Sequence, residues 1–88
     1  MKLIIAIIRD SDNEPVTRAL TSTDYRVTCI ASTGGFLRRG YSTLLIGVED
    51  ERVERALEII RENSATPTDP NIKRATVFVL KIDQYTHL

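Results

Sequence analysis

A chain of 88 residues makes one small core and buries only about 60% of its unfolded surface, so a subunit interface is a natural supplement. Twelve basic and twelve acidic side chains cancel without any block of like charge, which argues against a nucleic-acid polymer or a membrane surface as partner and makes any anion site local. The single cysteine, Cys29, excludes an internal disulfide and agrees with a reducing, cytoplasmic compartment.

Leu3-Ile4-Ile5-Ala6-Ile7-Ile8 is rich in β-branched residues and apolar on both faces, the pattern of a central strand. It is too short to span a bilayer, and Arg9-Asp10 closes it without a small-residue cleavage site, so it does not read as a signal peptide. Asp12-Asn13-Glu14-Pro15 is expected to open a helix, with acids in the first turn and proline where a missing N–H has no partner. Val16, Ala19, Leu20 and Thr23 give that helix its apolar face. Tyr25 to Ser32 alternates as a second strand, with Tyr25, Val27, Cys29 and Ala31 on one side and Arg26, Thr28, Ile30 and Ser32 on the other. Cys29, mid-strand and without a cysteine or histidine close in sequence, is expected to be a buried packing residue.

The link Ser32-Thr33-Gly34-Gly35-Phe36-Leu37-Arg38-Arg39-Gly40-Tyr41-Ser42-Thr43 combines paired glycines, an apolar ring, two guanidinium groups and hydroxyls. Glycines let backbone N–H groups approach a phosphate, arginine grips its oxygens in a fork, and an aromatic ring covers a nucleobase. An ordinary glycine-containing turn accounts for the same residues without a ligand, since neither G-x-G-x-x-G nor G-x-x-x-x-G-K-[ST] is present.

Thr43 to Val48 reads as a third strand, and Glu49-Asp50-Glu51 as the acidic opening of a second helix. Val53, Ala56, Leu57 and Ile60 follow the helical i, i+3, i+4, i+7 spacing, while Glu51 and Arg55 are expected to pair on the wet side. Asn63 to Asn71 has the composition of a connector, Ala75 to Leu80 reads as the last strand, and Lys81 to Leu88 forms a short tail.

Strand, helix, strand, strand, helix, strand is the order of a ferredoxin-like α+β domain: a four-stranded antiparallel sheet with both helices on one face, here a single domain over residues 1–88. The opposite sheet face is too apolar for a soluble monomer, which points to self-association in a closed oligomer with clefts between subunits. Catalysis finds little support. Cys29 lies mid-strand, the only histidine, His87, is far off in sequence, and one cysteine with one histidine makes a thin metal site. An acylphosphatase-type enzyme has this size and fold, but its phosphate loop follows the first strand, where Arg9-Asp10-Ser11-Asp12 offers no glycine.

Tyr25 to Gly40, Tyr25-Arg26-Val27-Thr28-Cys29-Ile30-Ala31-Ser32-Thr33-Gly34-Gly35-Phe36-Leu37-Arg38-Arg39-Gly40, resembles the signature of the cyclic-di-AMP receptor family, the PII-like signal-transduction proteins of bacteria. Met1 to Ile8, Ala75 to Leu80 and Asp83-Gln84-Tyr85 are similar to that family's first strand, last strand and closing tail. The resemblance implies a cytoplasmic homotrimer that binds cyclic-di-AMP, or a related adenine nucleotide, in three inter-subunit clefts and signals through loops to a downstream protein. It implies no catalytic residue, metal or cofactor.

Carried over by position, the ligand pocket uses Arg26 and Thr28, then Gly35, Phe36 and Leu37, then Tyr41 and Gly47. Tyr41 stands where the family pattern favours asparagine, and the connector before the last strand is shorter than the family's. A trimer that keeps the scaffold without the nucleotide is the second reading.

Overall fold

The computed structural model describes residues 1–32, 40–65 and 75–83. Strand β1 (Lys2–Arg9) leads into helix α1 (Asp10–Ser22), followed by β2 (Arg26–Ser32) and β3 (Tyr41–Val48). A single 3-10 turn (Asp50–Arg52) runs into helix α2 (Val53–Asn63), and β4 (Ala75–Lys81) closes the fold. The strands form one sheet in the order β2-β3-β1-β4, and every neighbouring pair is antiparallel. This is the βαββαβ arrangement expected from the order of elements.

Strands β1 and β3 occupy the centre. Opposite one another in register stand Ile4 and Ile46, Ala6 and Leu44, and Ile8 and Ser42, all of them buried. Val16 and Leu20 of α1 and Ala56, Ile59 and Ile60 of α2 complete this core. Burial of each large aliphatic side chain contributes about 1.5–3 kcal/mol, so the helix-side face supplies most of what holds so short a chain together.

Helix α1 begins at Asp10, two residues before the expected start. Both Asp10 and Asp12 sit in the first turn, where negative charge complements the helix dipole. Pro15 therefore falls in the second turn, not the first, and forgoes the bond that another residue would give to the Ser11 carbonyl. Pro15 and Ser11 are both exposed, so the missing bond falls on the wet side of the helix.

At the other end of α1, Asp24 takes the left-handed conformation (φ 65°), which reverses the chain into β2. Arg52 locks the reversal. Its guanidinium lies 4.0 Å from the centre of the Tyr25 ring and donates to the Thr23 carbonyl at 2.7 Å, while the Tyr25 hydroxyl donates to the Arg52 carbonyl at 2.9 Å. On the wet side of α2 the expected Glu51–Arg55 pair does not form. Arg55 turns toward the helix C-terminus, 2.9 Å from Glu58 and 3.8 Å from Glu62, because Glu51 belongs to the 3-10 turn and is out of helical phase.

Cys29 is exposed, against the expectation of a buried thiol. It stands opposite the buried Leu44 and therefore on the helix side, but β2 is an edge strand; the Asn13 amide of α1 donates to the sulfur at 3.6 Å. The strict alternation expected along β2 also fails. A register shift between Cys29 and Ala31 leaves Ile30 outside the ladder, so Ala31 comes opposite Thr43 and Ser32 opposite Ser42.

Candidate functional site

The sheet face away from the helices carries two rows that run across all four strands. Arg26, Gly47, Leu3 and Leu80 form one; Thr28, Leu45, Ile5 and Phe78 form the next. Arg26 and Thr28 therefore share a face, as their spacing predicts, and the structure adds Gly47 directly opposite Arg26. Leu3, Ile5 and Leu45 are half-buried, while Phe78 and Leu80 on the edge strand are 51% and 48% exposed. The result is an apolar field bordered on the β2 side by a guanidinium and a hydroxyl.

Gly47 is informative because nothing among the described residues requires it. A Cβ built at this position meets no atom within 4 Å. Glycine in a strand costs roughly 0.5–1 kcal/mol relative to alanine and commonly marks a close approach by a ligand or another backbone. Here the empty space lies beside the Arg26 position, on the outer surface of the sheet.

Tyr41 stands at the far end of the same strand, opposite Arg9 and 50% exposed. Its chain neighbours are held firmly. The Gly40 carbonyl accepts the Asp10 N–H at 3.0 Å, and the buried Ser42 hydroxyl donates to the Asp10 carboxylate and accepts from the Asn13 amide at 3.0 Å. A second set of bonds adjoins it: buried Asp12 accepts from Arg9 Nε at 3.3 Å and from the Ala65 N–H at 3.1 Å, and Arg9 also donates to the Ala65 carbonyl. One turn of α1 thus fixes both the start of β3 and the residue just beyond α2. The sequence gives little sign of this cluster, because Asp10 and Ser42 are distant in the chain and neither belongs to a motif.

Gly35, Phe36 and Leu37, expected to line the ligand pocket, lie outside the described residues, as do Arg38 and Arg39. Arg26, Thr28, Tyr41 and Gly47 are the members of the expected site whose places are defined. They separate into two ends of the sheet: at roughly 3.3 Å per residue, the step along β3 from Tyr41 to Gly47 covers about 20 Å. The described ionisable group with a clearly displaced titration is Asp50, outside this cluster. A hydrogen bond from the amino terminus holds its carboxyl below the ordinary carboxylate range.

The sequence profile of the cyclic-di-AMP receptor family matches residues 1–70, which contain every position of the expected pocket. The chain belongs to the cyclic-di-AMP receptor family. The match to that receptor family ends at residue 70, in the segment between α2 and β4. In fold the chain is similar to a crystal structure of a functionally unknown protein from Pediococcus pentosaceus, with a TM-score of 0.81 and 38% identity over 99% of this chain and 96% of that one. Membership of a receptor family favours a binding protein. The direct passage of β1 into α1 leaves no loop there for an acylphosphatase-type phosphate site.

Proposed function

We propose that this protein is a cytoplasmic PII-like sensor, a single domain over residues 1–88, that binds cyclic-di-AMP or a related adenine nucleotide in clefts between three copies of itself. The observation that carries the reading is the pairing of Arg26 with Gly47: a cation beside a backbone left bare on an outward face, in a family of cyclic-di-AMP receptors. Arg26 serves the phosphates, the Thr28 hydroxyl supplies a hydrogen bond, and the bare backbone at Gly47 lets the ligand lie close to the sheet. The Gly35, Phe36 and Leu37 segment supplies amides and apolar cover for a base.

The spread of the site along β3 supports a cleft shared between subunits. Arg26 and Gly47 lie about 20 Å from Tyr41, so one ligand engages both ends most readily when a neighbouring copy brings its own Tyr41 end alongside. The apolar rows through Ile5, Leu45 and Phe78 supply the contact surface for such an assembly. Those rows would also hold together a trimer that binds no nucleotide, and this is the second reading.

Calorimetric titration with cyclic-di-AMP, set beside cyclic-di-GMP and ATP, tests the proposal. The parent should bind an adenine nucleotide with one site per chain, and Gly47→Val should lose binding while its light-scattering mass stays that of the parent. A parent that binds none of the three overturns the sensor reading in favour of the structural trimer.

A further inference from the structure

We propose that the outer groove of α2 is a contact site for a second copy of this chain, with two α2 helices lying antiparallel about a two-fold axis near Leu57 and Glu58. Glu54, Leu57, Glu58 and Arg61 line a groove of about 250 Å³, turned away from the buried Ala56, Ile59 and Ile60. Their spacing of three and four residues makes one stripe over two turns of the helix. Leu57 is half-buried against the core and gives the groove an apolar floor, while Glu54 and Arg61 at its ends are exposed. This layer is opposite the sheet face assigned to the proposed trimer, so the contact depends neither on that assembly nor on a nucleotide.

The charges decide what fits. Arg55 is engaged within its own helix, 2.9 Å from Glu58 and 3.8 Å from Glu62; among the described residues, Glu54 and Arg61 have no such partner. They stand seven residues apart, about 10 Å along the axis, with Leu57 and Glu58 at the midpoint. A two-fold axis through that midpoint sets Glu54 of each copy against Arg61 of the other and brings the two Leu57 side chains together. Both ion pairs come from one patch, which is the self-complementarity that an isologous contact requires. Glu58 meets its counterpart at the axis, but its carboxylate is already paired with Arg55, which limits the repulsion. A parallel arrangement would oppose like charges at both ends. Two turns of one helix fall short of the area of a stable interface, so the pairing is weak and salt-sensitive.

Sedimentation equilibrium of the full chain, from micromolar to millimolar concentration at low salt, tests the pairing. The mean mass of the parent should climb toward at least twice its dilute value, whatever that value is. Salt at about 1 M, where the screening length is about 3 Å, should reverse the climb. Glu54→Arg and Arg61→Glu should each hold the mass at the dilute value, because each opposes like charges across the axis. The double variant Glu54→Arg/Arg61→Glu should climb as the parent does, since the exchanged charges again complement one another. Both side chains are exposed, so the circular dichroism of all variants should match the parent. A parent whose mass stays flat, or single variants that associate as the parent does, overturns the proposal and leaves the groove to solvent or to a different protein. A folded double variant that fails to associate overturns the two-fold arrangement.

Discussion

The two faces of the sheet are made from the same strands, yet they are covered in opposite ways. On the helix side, Ile4, Ile8, Leu44 and Ile46 are fully buried. One position along, Leu3, Ile5, Leu45 and Gly47 are only half-covered, and Phe78 and Leu80 stand about half exposed. Side chains alternate along a strand, so one short run can build the core on one side and leave an open apolar surface on the other. The difference separates stability from assembly: changes on the helix side should unfold the subunit, and changes on the open side should disperse or blind it.

The largest effect should come from the covered face. Leu44→Ala, in the middle of β3, should cost about 2–5 kcal/mol, enough to leave so small a domain largely unfolded in mild urea. Circular dichroism across a urea series would measure it; a parent-like midpoint would mean that the helix-side core does not hold the fold. Phe78→Glu tests the opposite face. It should abolish the proposed trimer by light scattering while the far-ultraviolet spectrum keeps its helix and strand content, because the residue is already 51% exposed in the subunit. A variant that unfolds would erase the distinction between the two faces.

Tyr25→Phe sharpens the comparison at an intermediate scale, since it removes the hydroxyl bond to Arg52 but keeps the ring beneath the guanidinium. The loss should be about 0.5–1.5 kcal/mol, read as a drop of several degrees in the thermal midpoint. Asp50→Asn should have the smallest effect, because the carboxylate is fully exposed. The sign is fixed by the lowered pKa: the group stabilises the fold above its ordinary value of 3.8, and that contribution is lost as pH falls through the depressed value. Parent and variant midpoints should therefore converge in acid. A gap that widens below pH 3 would contradict the ion pair with the amino terminus.

The architecture was legible because its signals are local and periodic. β1 is an uninterrupted run of branched apolar residues, and α2 has Val53, Ala56, Leu57 and Ile60 at helical spacing, so their faces follow from geometry alone. That Arg26 and Thr28 share a face was legible for the same reason, since they are two residues apart on a strand. What escaped depends on neighbours distant in sequence. Exposure of Cys29 follows from the edge position of β2, and the register shift beyond it leaves no mark in the alternation. The early start of α1 belongs with Asp10, whose contacts with Gly40 and Ser42 are made only when β3 is in place. The ligand reading came from the glycine segment and the family signature around it; the fold by itself would not have supplied it.

A backbone-amide NMR titration of the labelled protein with cyclic-di-AMP tests the central claim most directly. The account predicts shifts concentrated at Arg26, Thr28, Tyr41 and Gly47 on the open face, with Glu54, Glu58 and Arg61 on the outer side of α2 unmoved. Shifts confined to the helices, or a spectrum unchanged at saturating nucleotide, would contradict it.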